Sequence, residues 1–111
     1  INLINREYCY KLLIMLPGQK HPPHLHQQKE ETFYLLWGDI TVNLRDSGEV
    51  SMKPGDKLLI HRGILHDFMT KSGAIVAEIS THSIVGDSYY ENREIARLDP
   101  IQRKTFVESW W

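Results

Sequence analysis

GQKHPPHLHQQKEETFYLLWG, residues 18–38, is the stretch that decides the fold and places the chemistry. Pro22-Pro23 forbids a helix and favours an extended entry. His24 and His26 follow at i and i+2 on a short strand predicted over 24–27, where alternate side chains share a face. Two imidazoles therefore aim at one point. The run ETFYLLW at 31–37 reads as a second strand, closed by Gly38-Asp39. Its alternation sets Glu31, Phe33, Leu35 and Trp37 on one face, taken as the interior and core, and Tyr34 on the outside.

Working outward, YCYKLLIML at 8–16 reads as a strand that stops at Pro17-Gly18. Downstream, strands are predicted over 40–45, 49–52, 57–61, 65–70 and 74–81. The turns between them carry Asp46-Ser47-Gly48, Lys53-Pro54-Gly55-Asp56, Arg62-Gly63 and Lys71-Ser72-Gly73. About eight short strands at regular spacing predict an all-β antiparallel sandwich or barrel. Residues 82–98 are polar with little period. Asp99-Pro100 predicts the start of a short tail helix over about 100–107. The reading is one domain over 1–111, with a barrel over about 8–81 and a tail over 82–111.

The 111 residues carry a net charge of −1 with both signs mixed along the chain, so no basic stripe suggests nucleic acid. No apolar run approaches the roughly 20 residues of a membrane helix. No secretion signal is visible, and the single Cys9 reads as a small core residue, so the cytoplasm is the default expectation. The start at Ile1 rather than Met leaves open a piece of a longer protein. The apolar first strand, if unpaired, would leave a long edge, which predicts a homodimer that covers it.

Histidine is the informative excess: the chain has six, with His21, His24 and His26 close together. Glu31, five residues after His26, adds a carboxylate at the start of the next strand. His66 begins a later strand, after the Gly63 turn. Three nitrogens and one oxygen suit a first-row divalent ion such as zinc, manganese, iron or nickel, and leave positions open for a substrate. Glu30 is the alternative to Glu31, and strand alternation favours Glu31.

At these anchors the sequence resembles the cupin superfamily. Gly18, His24-x-His26, Glu31 and Gly38 match its first motif in register. Gly55, Gly63 and His66 follow its second, with His61 where Pro is usual and Thr70 where Asn is usual. The resemblance covers residues 8–81. It implies a jelly-roll barrel, a double-stranded β-helix, holding a metal through His24, His26, Glu31 and His66. The tail is similar to the end of the cupin in type II mannose-6-phosphate isomerases, through Glu78, Ile95, Arg97, Asp99 and Arg103. Ser80-Thr81, Asp87-Ser88 and Arg103-Lys104-Thr105 also resemble small cupins associated with sialic acid synthase-like proteins.

Both resemblances imply a carbohydrate ligand. The leading expectation is a metal-dependent isomerase or epimerase of a sugar or sugar phosphate, working through an enediolate. The alternatives are a non-catalytic sugar-binding domain and an iron-dependent dioxygenase. Glu31, His61 and Glu78 are candidate bases. Glu78 faces the cavity only if Ile75, Ala77 and Ile79 do not face the core, and alternation leaves both open. Lys20, Lys29 and Arg62, with His21 and Asp67 nearby, are candidates for the barrel mouth, where the cations would suit an anionic substrate. Tyr89-Tyr90 reads as packing.

Overall fold

The computed structural model describes residues 1–90. The strands are β1 (Asn2–Asn5), β2 (Tyr8–Met15), β3 (Lys20–His26), β4 (Glu31–Gly38), β5 (Ile40–Leu44), β6 (Gly48–Met52), β7 (Lys57–Ile60), β8 (His66–Met69), β9 (Ala74–Thr81) and β10 (Ser88–Tyr90). They form two five-stranded antiparallel sheets, ordered β1-β2-β9-β4-β7 and β10-β3-β8-β5-β6. Pairing runs from the outside in: β2 with β9, β3 with β8, β4 with β7, and β5 with β6. That nesting is the double-stranded β-helix expected from the sequence. No helix among the described residues is long and apolar enough to cross a membrane.

Alternation explains the layers. Phe33 and Leu35 on β4, Ile40 and Val42 on β5, and Val76 on β9 point inward and are almost fully buried. Leu13, Met15, Met52, Ile60 and Phe68 pack with them into one core. Cys9 is buried as expected. Gly38 joins the two sheets' connections closely, because a Cβ there would lie 2.0 Å from the Gly73 carbonyl oxygen. Its φ of 85° is also one that only glycine adopts freely.

Several expectations change. Strand β3 begins at Lys20 rather than at 24, so Pro22-Pro23 lies within the strand. The ladder with β8 shifts register between His21 and His24, and that bulge accommodates residues with no N–H to donate. Trp37 is 58% exposed rather than core, because β4 also slips register between Leu35 and Trp37 and turns the ring outward. Strand 8–16 is not an edge, since β2 pairs with β1 on one side and β9 on the other. The region after 82, read as irregular, contributes β10. The tail helix over 100–107, with Ile95, Arg97, Asp99, Arg103, Lys104 and Thr105, lies outside the described residues.

Candidate metal centre

The interior changes character toward the end where β3 finishes and β4 and β8 begin. His24 and His26 arrive on β3, His66 stands directly opposite His24 on β8, and Glu31 opens β4. All four are buried, and one ligand atom from each lies within 4.8 Å of the others. The rings of His24 and His66 are 4.3 Å apart between centroids, and those of His24 and His26 are 4.9 Å apart.

Backbone carbonyls orient two of the rings. His24 Nδ1 lies 3.0 Å from the Pro22 carbonyl oxygen, and His66 Nδ1 lies 2.9 Å from that of Ile64. In the tautomer these contacts favour, Nδ1–H donates and Nε2 keeps its lone pair for an ion. Both oxygens of Glu31 and Nε2 of His66 are buried with no aligned hydrogen bond among the described residues. His26 Nε2 stands 2.6 Å from Glu31 Oε1, off the line of a hydrogen bond. Buried lone pairs without aligned hydrogen bonds are costly, and here they converge on one space. A divalent ion bound by three imidazoles and a carboxylate satisfies them, so the donor set fits.

The electrostatics agree. Burial, then the neighbouring imidazoles of His21 and His66, holds His24 far below the ordinary histidine pKa. Burial also lowers His66. Burial alone would raise Glu31, but His26 and the Lys29 charge outweigh it and hold the carboxylate ionised. His24, His66 and Glu31 are thus held toward the states a metal requires.

A second group faces the same space. Glu78 is 6% exposed on β9, with Ala74, Val76 and Ser80 on its face, while Ile79 is exposed on the other. That settles its orientation inward. Lys29 Nζ lies 3.3 Å from Glu31 Oε1 and 3.6 Å from Glu78 Oε2, bridging the two carboxylates. Lys29 is therefore buried inside rather than exposed at a mouth. Burial opposes its charge, but Glu78 and Glu31 raise its pKa above the ordinary value. Burial first, then the Glu31 charge, pushes Glu78 up to about 7, against the pull of Lys29 and Lys11. Glu78 and Lys29, with His24 and His26, border a cavity of about 610 Å³, lined also by His21, Phe68, Asn5 and Tyr90.

The other sequence candidates stand elsewhere. Lys20 is exposed at the far end of β3, opposite Met69. His61 is exposed, 3.7 Å from Glu30. Arg62 donates from Nε to the Gln28 carbonyl and lies 3.3 Å from Glu30. None of these three lines the cavity. Sequence reasoning missed Lys11, which stands beside Glu78 across the ladder with its Nζ 4.0 Å from that carboxylate. Its signal was phase: Cys9, Leu13 and Met15 face inward, and Lys11 falls between them. His21, named only as a mouth residue, stacks on Phe68 inside the cavity, and burial lowers it to about 3.

Comparisons with known proteins match this arrangement. A family model described as "Cupin domain" matches residues 11–81. The D-lyxose ketol-isomerase of Thermofilum sp. (strain ex4484_79) is 30% identical, over 87% of this chain and 69% of its own length. The D-lyxose/D-mannose isomerase of Thermosediminibacter oceani is 27% identical, over 86% of this chain and 67% of its own. The structure of Cellulomonas parahominis L-ribose isomerase with L-psicose shares the fold with a TM-score of 0.75 at 20% identity, over 81% of this chain and 67% of that one.

Proposed function

The chain belongs to the cupin family, and on that premise we propose that it is a metal-dependent aldose–ketose isomerase of a small sugar or sugar phosphate. The observation that carries the proposal is a buried carboxyl, Glu78, which lines the same cavity as His24 and His26 and is bridged to Glu31 by Lys29. The names of the two similar isomerases support the sugar class.

His24, His26, Glu31 and His66 would hold the ion. Bound there, a divalent metal supplies Lewis-acid stabilisation of negative charge on sugar oxygens. Isomerisation moves one hydrogen from a carbon to its neighbour and needs no external oxidant. In this reading Glu78 accepts that proton and returns it. Lys29 keeps Glu31 and Glu78 apart electrically, so that one carboxylate serves the ion while the other handles the proton. His61, Arg62 and Lys20 face away, and we assign them no part in the reaction.

Metal-loaded protein incubated with D-lyxose, D-mannose and other aldoses should form the matching ketose and lose that activity to chelator. No turnover across the panel with any divalent metal would contradict the proposal.

We also propose a homodimer, on a different ground from an open edge. The outer face of the first sheet carries the rows Tyr10–Ile79–Thr32–Leu59, Leu12–Ala77–Tyr34–Lys57 and Ile14–Ile75–Trp37. So little charge lets the face meet a second copy of itself without like-charge repulsion. Light scattering at micromolar concentration should give twice the chain mass; a monomer would contradict this.

A further inference from the structure

Four residues, 27–30, separate the ligand His26 from the ligand Glu31. They carry the chain from the end of β3 in one sheet to the start of β4 in the other. Their backbone groups leave both ladders there, so each needs a partner of another kind. The partners come from the segment around β10 and from the end of β9.

Asp87 does most of it. It is 3% exposed, in the turn before β10. Its Oδ1 accepts the N–H groups of Gln27 at 3.2 Å and Gln28 at 3.1 Å. Its Oδ2 accepts those of Gln28 at 3.3 Å and Lys29 at 3.1 Å. Three consecutive N–H groups thus converge on one carboxylate, the geometry of a backbone nest around an anion. The next N–H, of Glu30, donates to Thr81 Oγ1 at 3.1 Å. Gly63 N–H donates to the His26 carbonyl at 2.7 Å. Beyond Asp87, Ser88 pairs with His26 across the ladder and Tyr90 with His24.

We infer that Asp87 is a positioning residue for the metal centre: its carboxylate fixes the 27–29 backbone and thereby the spacing between the His24/His26 pair and Glu31. The inference rests on the metal reading above. Asp87 touches no donor atom of the cluster, and its action is geometric. The Asp87 carboxyl offers two acceptor oxygens to the three N–H groups. An amide offers one oxygen and turns an NH2 group toward donors. The same loop carries Lys29, so its displacement would also move the cation between Glu31 and Glu78.

The test uses cobalt(II) alone as probe, read by visible absorption on the full chain. Asp87→Asn should fold by circular dichroism, bind cobalt about 10- to 100-fold more weakly than the parent, and show an altered visible band. Val42→Ala, in the apolar core away from the donors, should lose stability yet keep the parent's affinity and band. A parent-like affinity and band in Asp87→Asn would overturn the inference while leaving the metal centre standing. If the parent itself takes up no cobalt, the metal reading falls and this inference with it. Should Asp87→Asn fail to fold, Asp87→Glu keeps charge and acceptors but shifts them by a methylene. It should weaken cobalt binding in folded protein, and unchanged binding there would overturn the inference.

Discussion

The two ends of the barrel interior are made by the same strands and obey different physics. On β4, Phe33 and Leu35 belong to the apolar end and Glu31 to the polar one. On β8 the change runs from Phe68 to His66, and on β9 from Val76 to Glu78 and Ser80. One same-face step, about 7 Å along a strand, separates close-packed hydrocarbon from buried donors. The apolar end stabilises the fold at about 25 cal/mol for each Å² removed from water. The polar end buries Glu31 and His66 atoms without aligned partners, which costs stability. One end therefore holds the barrel together, and the other is retained for what it binds.

Substitutions at the two ends should separate those roles. At the polar end, Glu78→Gln should leave metal content intact and cut isomerase turnover about 100- to 10,000-fold. Turnover within tenfold of the parent would remove Glu78 from the reaction. At the apolar end, Leu35→Ala empties a fully buried site and should cost about 2–5 kcal/mol in urea denaturation. The folded fraction should keep its metal affinity. A cost below about 1 kcal/mol would mean that this end does not carry the stability.

Between pH 6.5 and 5, acid should act on the polar end, with a smaller effect. Burial holds His21, His24 and His66 below the ordinary histidine pKa. Below about pH 6.5 the unfolded chain therefore binds more protons than the folded one, and stability falls as the pH drops. Glu31, held below its ordinary value, acts in the same sense at lower pH. Glu78, raised to about 7, opposes them: its contribution is present at low pH and is lost as the pH rises through 7. Three imidazoles outweigh one carboxyl. Metal-free protein should therefore lose on the order of 1 kcal/mol per pH unit for each uncompensated proton between pH 6.5 and 5. Equal or greater stability at pH 5 would contradict the burial of these rings as neutral bases. Leu35→Ala should lower the whole profile without changing its shape.

The same contrast explains what could be read from the sequence. The apolar end was legible because alternation and turn residues are local. His24, His26 and Glu31 were legible because two strands and a short loop bring them together, and His66 because it opens a later strand after the Gly63 turn, in register with the family motif. Glu78 could not be oriented: β9 places Val76 and Ala77 side by side, so its apolar residues occupy both faces. Lys20, His61 and Arg62 lie near the motif in sequence, but strand direction and the β7–β8 turn carry them outside. Trp37 was misread because a β-bulge is invisible to simple alternation. Asp87 acts on a loop 58 to 60 residues earlier in the chain, a relation set by the pairing of β10 with β3.

Metal content is the most direct measure of whether the polar end exists to hold an ion. Purified protein stripped of metal and dialysed against zinc or cobalt should retain about one equivalent, as a single four-donor site requires. The His24→Ala/His26→Ala double variant, still folded because the apolar end is intact, should retain none. One equivalent in both proteins would contradict the assignment of His24, His26, Glu31 and His66 as the ligands.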